Sequence, residues 1–159
     1  MSDFALPQGP RRIVCLTEEP TEILCALGER ERIVGISAYS VRPADIREDK
    51  PVVSAFLDGS LRKIAALEPD LVIGFSDIQA DLAAKLIKAH LPVLIFNQRS
   101  VAEIMEMIQT LGRIVGAAER DAVRPGHIPV SHRRHKLATQ ISPKLLARPV
   151  LGPNAPVVR

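Results

Sequence analysis

From residue 12 to about residue 116 the chain alternates short apolar runs with longer amphipathic segments, a pattern that predicts strands interleaved with helices in a parallel sheet. Arg12, Ile13, Val14, Cys15 and Leu16 form a β-branched run of strand length. Residues 20–27 follow with Ile23, Leu24 and Leu27 at helical spacing, stopped by Gly28, the favoured residue just beyond a helix end. Ile33, Val34, Gly35 and Ile36 predict a second strand. A polar, Pro-containing loop then runs through Tyr39, Arg42 and Pro43 to Pro51, ahead of a short third strand at Val52 and Val53. Ser60 caps a helix whose apolar positions Leu61, Ile64, Ala65 and Leu67 recur at three and four residues, and Pro69 ends it by disfavouring helical geometry at Glu68. Leu71, Val72 and Ile73 make the fourth strand. Residues 80–89 predict a helix with Leu82, Leu86 and Ile87 on one face, and Val93, Leu94, Ile95 and Phe96 a fifth strand. Ser100 and Glu103 form a capping box, opening a helix lined by Ile104, Met107, Ile108, Leu111 and Val115. The fold class expected is α/β: a single lobe with a parallel, doubly wound sheet of four or five strands, followed by a largely irregular tail.

Charge divides the chain at the same place as hydropathy. Residues 1–120 hold 14 basic and 17 acidic side chains, whereas residues 121–159 hold seven basic side chains and one acidic, Asp121. Six of the 13 prolines and three of the four histidines lie in those last residues, and none of the five aromatics does. Pro125 and Pro129 each exclude a helix interior at a cost of about 3 kcal/mol. The expected organisation is therefore an extension at 1–11, a lobe at 12–120, and a basic Pro, Arg and His-rich tail at 121–159 that is disordered or the product of a shifted reading frame. No run approaches the ~20 apolar residues of a membrane helix, and the N-terminus reads as no signal peptide, so the sequence by itself predicts a cytoplasmic chain. Cys15 and Cys25 lack the partners of a zinc site or a disulfide framework and read as small core residues.

Candidate chemistry is sparse in most classes. The turn after the first strand, Thr17-Glu18-Glu19-Pro20-Thr21, has no glycine and carries two carboxylates where a phosphate needs bare N–H groups, which excludes a dinucleotide or P-loop cradle. There is no G-x-S-x-G elbow, and His90, at the end of a predicted helix, complements the helix dipole. His127, His132 and His135 have metal-like spacing but no acidic partners and no core to hold them. The basic tail lacks aromatics for stacking on bases, so nonspecific attraction to polyanions is the most it supports, and no specific nucleic acid is expected. The aromatic pattern is more informative. Ligands of parallel α/β sheets bind beyond the carboxyl ends of the strands, and Tyr39, Phe56 and Phe75 follow the second, third and fourth strands. Three rings on one rim read either as loop seals or as a flat apolar ligand platform.

Taken in order, RIVCL at 12–16, TEILCALG at 21–28, RIVGI at 32–36, LRKIAALEPDLVI at 61–73 and LGRIVG at 111–116 resemble successive landmarks of the N-terminal lobe of ABC-transporter substrate-binding proteins for vitamin B12 and ferric siderophores. The resemblance covers residues 12–120, and the cobalamin branch is the more similar. It implies a bilobed, non-enzymatic protein, working in the periplasm, whose lobes close over a ligand and deliver it to an ABC permease. Phe56 and Phe75 match positions that face cobalamin, and Asp81 matches a carboxylate that meets the permease. No cofactor is implied, cobalamin being cargo. The family's first loop carries a Pro-Ser pair where this chain has Glu18-Glu19, and its long connecting helix continues where this chain has Pro125 and Gly126. A lobe without its partner leaves the interlobe face open, so a homodimer through that face is expected. The competing classes are a small flavodoxin-like enzyme, which needs a cofactor cradle, and a polyanion-binding interaction protein acting through the tail.

Overall fold

The computed structural model describes residues 9–55 and 58–117. In chain order it contains β1 (Ile13–Cys15), α1 (Glu18–Ala26), β2 (Ile33–Ser37), α2 (Ile46–Asp49), β3 (Val52–Ala55), β4 (Asp58–Gly59), α3 (Leu61–Ala66), β5 (Leu71–Phe75), α4 (Ala80–Lys88), β6 (Val93–Phe96) and α5 (Val101–Ile114). The strands form one sheet of order β4-β3-β2-β1-β5-β6. Five are parallel, as expected; β4 adds two antiparallel residues at one edge, Gly59 opposite Ser54 and Asp58 opposite Ala55.

Alternation along β1 explains why helices cover both faces. Ile13 and Cys15 point into a core with Ile23 and Leu24 of α1 and Met107, Ile108 and Leu111 of α5. Val14 and Leu16 point the other way, into a core with Ile64 of α3 and Leu82 and Leu86 of α4. Strands buried on both faces read as continuous apolar runs, which is the sequence signal β1 and β5 carry. The chain steps outward from β1 to β2 and β3 with its helices on one face, then returns to β5 and β6 with α4 on the other, as uniform crossover handedness requires.

Local signals stop and start the helices largely as expected. Ser60 Oγ accepts from the Lys63 N–H, and Ser100 with Glu103 forms the complete capping box. Gly28 adopts φ 79° just past α1. Glu68 and His90 take the same left-handed role after α3 and α4, at φ 46° and 61°. His90 therefore lies beyond α4 rather than on it. Three further details differ from the sequence reading. α1 begins at Glu18, two residues earlier, because Pro20 then falls in the first turn, where N–H groups have no intrahelical partner. Ile87 does not join Leu82 and Leu86 on the buried face but is 60% exposed, Ala83 taking that place. The loop before Pro51 contains α2, whose Ile46 is fully buried. Cys15 is buried and Cys25 only partly so. The N-terminal approach is pinned by Asp70, whose carboxylate accepts the Arg11 and Arg12 N–H groups at 2.7 and 2.8 Å. Residues 121–159, with His127, His132 and His135, lie outside the described residues.

Candidate ligand-binding site

The five parallel strands end on one edge. After β1 the chain turns to α1 on one face, and after β5 to α4 on the other, so the connections diverge between two neighbouring strands. Such a switch point opens a crevice at the carboxyl ends. Its rim is built from residues 17–19 after β1, 38–39 after β2, 75–76 closing β5, and 97–99 after β6.

Tyr39 is 58% exposed, two residues past the end of β2, its N–H donating to Ser37 Oγ at 3.3 Å. The loop it stands on is tied to α1 by Thr21 and Ser40, whose hydroxyls are 3.3 Å apart and buried. Phe75 is the last residue of β5 at the same edge. Its ring is only 8% exposed, with the Arg99 guanidinium carbon 5.6 Å from the ring centroid. That contact is cation–π in character. Arg99 is further held by Asn97 Oδ1 at 3.0 Å and Asp77 Oδ1 at 3.3 Å. The corner between β5 and β6 thus presents a guanidinium laid on a ring, rather than the bare ring. Phe56 lies outside the described residues, in the connection from β3 to β4.

Behind Phe75 the backbone is unusual. Ser76 has φ 57° and ψ 177°, a region that costs a non-glycine residue strain, and strain of this kind clusters at functional rims. The surroundings over-determine it: the Ser76 N–H donates to the Phe96 carbonyl at 2.7 Å, Ser76 Oγ accepts from the Ile78 N–H at 3.3 Å, and Gln79 accepts the Phe75 N–H. Toward α1 the rim is acidic. Glu18 and Glu19 occupy the first turn, and Glu22 has its carboxyl pKa raised, chiefly by burial and against the opposing pull of Arg42 at 3.6 Å. Asp81 stands apart from the rim, exposed in the first turn of α4, where a carboxylate complements the helix N-terminus.

A cavity of about 240 Å³ adjoins the β5–β6 corner, between the end of β6 and α5, with Phe96 and Met107 as its apolar lining and Gln98, Glu103, Glu106 and Thr110 as polar lining. The sequence reading passed over Gln79, Gln98 and Arg99. The carboxyl-end rule could have found the last two, since both follow β6 directly. Gln79 carries no such signal. Among the described residues no group of three or more metal-ligating side chains occurs, and no helix is long and apolar enough to cross a membrane.

A doubly wound lobe whose connections diverge at a switch point has the crevice at which open α/β sheets bind ligands. The chain belongs to the periplasmic binding protein family, whose model matches residues 13–123. Members of that family are periplasmic or lipoprotein substrate-binding proteins of ABC transporters and not enzymes. Over 122 residues the chain is 28% identical to the uncharacterized ABC transporter substrate-binding lipoprotein YvrC of Bacillus subtilis, covering 74% of this chain and 38% of that protein. It is 25% identical over 143 residues to the vitamin B12-binding protein of Pectobacterium atrosepticum, covering 85% of this chain and 50% of that one. Among solved structures it resembles the periplasmic vitamin B12 binding protein BtuF of Vibrio cholerae, with a TM-score of 0.66 at 24% identity, covering 82% of this chain and 48% of that chain. That likeness concerns the fold. The chain spans half or less of the length of these relatives.

Proposed function

We propose that this lobe is the solute-binding component of an ABC importer and takes cobalamin or a related corrinoid or siderophore, without chemistry, at the carboxyl-end rim of its sheet. The observation that carries the reading is the Phe75–Arg99 pair at that rim, in a chain whose family binds solutes for ABC transporters. A guanidinium held over a buried ring offers a planar cationic face, and the exposed Tyr39 an aromatic one, which together suit a large planar ligand. Tyr39, Phe56 and Phe75 are the assigned contacts, and Asp81 the contact to the permease. We take residues 12–120 as the lobe and 121–159 as a tail separate from its core, and we expect the face that meets a second lobe to pair two copies when none is present. The working location proposed is outside the cytoplasmic membrane, in keeping with the family; the cytoplasmic expectation has no support from the relatives.

Titration of cyanocobalamin, followed by its visible absorption and by calorimetry, tests the reading. Saturable binding that weakens about tenfold in Tyr39→Ala and Arg99→Ala is expected, since a rim aromatic or charge truncation typically costs more than 1 kcal/mol. Absence of saturable binding to cyanocobalamin, to cobinamide and to ferric siderophores by the folded chain would overturn it.

A further inference from the structure

The two edges of the sheet are finished differently. At one, β4 closes β3 with two antiparallel residues, a short edge carrying Asp58, and native sheets discourage further pairing by such means. At the other, β6 runs Val93-Leu94-Ile95-Phe96 with β5 as its single neighbour among the described residues. No charge interrupts residues 91–98, and no proline falls inside the strand. The Val72 N–H donates to the Pro92 carbonyl and the Ser76 N–H to the Phe96 carbonyl, so the even-numbered residues turn their backbone groups to β5. Alternation then turns the N–H and C=O groups of Val93, Ile95 and Asn97 outward, away from the sheet.

Side chains continue this open edge onto α4. A Cβ on Gly59 would stand 2.7 Å from Leu82 Cδ2, so Leu82 faces β4 and the other flank of the buried stripe faces β6. That flank carries Ala80, Ala83, Ala84 and Ile87, all but Ala83 exposed, whereas Asp81, Lys85 and Lys88 fall on other sides of the helix. Beside it Ile95 is 36% exposed. The chain's own continuation does not fill the edge. A crossover adding a parallel strand beyond β6 needs its helix on the α4 face, by the handedness that already places α4 between β5 and β6. α5 instead lies beside α1 on the opposite face. An uncharged edge suits its own copy, because a two-fold axis sets each residue against the same surface and here brings no like charges together. We propose that β6 pairs antiparallel with β6 of a second copy about a two-fold at Ile95, joining the sheets into one of twelve strands, six from each copy. The exposed Ile87 and alanines of the two α4 helices then meet beside the junction. This surface runs along the side of the sheet rather than across the carboxyl-end rim, and it does not depend on the identity of the ligand.

Sedimentation equilibrium of the full chain, from micromolar to millimolar concentration, is expected to show a monomer–dimer equilibrium. Ile95→Lys and Ile95→Glu each set like charges against one another at the two-fold and should weaken the dimer about tenfold or more. An equimolar mixture of the two variants should restore it, a result that requires Ile95 to meet its own copy. Circular dichroism melts confirm that both variants fold. Hydrogen exchange of the parent chain, followed by NMR, needs no substitution: exchange of the outward Ile95 N–H should slow about tenfold as concentration rises through the dimerisation range. A chain that stays monomeric throughout overturns the inference, as does a mixture of the folded Lys and Glu variants that stays monomeric. A dimer weakened by Tyr39→Lys and not by Ile95→Lys belongs to the rim, and protection of Ile95 that is independent of concentration marks a segment of the same chain on the edge. Either result overturns it too.

Discussion

The buried carboxamide of Gln79 accepts the Phe75 backbone N–H at 2.9 Å, so the end of β5 is held by a side chain that follows it by four residues. The same carboxamide donates to the Leu16 carbonyl at 3.3 Å, joining the two strands that flank the switch point. Gln79→Leu leaves both backbone groups buried and unpaired, and is expected to lower unfolding stability by about 2–4 kcal/mol. Urea denaturation of the variant against the parent chain checks it. A loss below half a kcal/mol would mean the strands hold the rim unaided.

Gly74 lies directly against this bridge. A Cβ there would stand 2.7 Å from Gln79 Oε1 and 2.7 Å from Ile95 Cδ1. Gly74→Ala should therefore cost about 1–3 kcal/mol through overpacking, and the double variant Gly74→Ala with Gln79→Ala should cost less than the sum of its parts. Thermal melts of the three variants give the coupling.

Glu68 and His90 pay for left-handed geometry with side chains that gain nothing from it, since both are exposed. Replacing each by glycine is expected to raise stability by about 0.5–1 kcal/mol, the relief of the Cβ clash less the added freedom of the unfolded chain. The midpoint of chemical unfolding reads the change. A decrease at both positions would contradict the assigned cap geometry.

At the start of α5, Ser100→Ala should cost about 1 kcal/mol. The Glu103 carboxyl has its pKa lowered, first by the Arg99 N–H and then by the Ser100 hydroxyl, from an ordinary value of 4.5. A lowered folded-state pKa contributes stability that is fully present above the unfolded value and is lost as pH falls through the folded one. The difference in melting temperature between the parent chain and Glu103→Gln should accordingly be constant near neutral pH and shrink below about pH 4.5, which melts across a pH series would show.

Burial pushes the Cys15 thiol up to about 12, the Thr21 hydroxyl opposing only in part. Since the thiolate is the reactive form, iodoacetamide at pH 8 should leave Cys15 unmodified in the folded chain and label it once denaturant is added. Mass spectrometry of peptides from a Glu-specific protease, which cuts at Glu18 or Glu22 between the two thiols, separates it from the half-buried Cys25.

Most of the fold was legible in the sequence because its signals are local. The continuous apolar runs at 13–16 and 71–73 announced strands covered on both faces, Gly28 marked a helix end, and Ser100 with Glu103 marked a helix start. Where local signals were weak the reading drifted: α2 has a single buried apolar residue, Ile46, and β4 has two residues in all, so neither produces a period to detect. Ile87 was misassigned because apolar character cannot tell which side of a helix a sheet will cover. Of the candidate site residues, Tyr39 stands past the end of its strand as expected, whereas Phe75 is the last residue of β5 itself and lies largely buried beneath Arg99, a contact that strand spacing does not announce.

What the sequence determined by itself is the five parallel strands, the principal helices between them and their order of connection, all consequences of spacing along the chain. Tertiary structure alone decided the rest: that β1 and β5 adjoin, that Gln79 joins Phe75 to Leu16, a residue 63 positions before Gln79 itself, and that Arg99 covers the Phe75 ring. These contacts join residues whose separation in sequence carries no period. They exist only because two crossovers on opposite faces bring the ends of distant strands to the same rim.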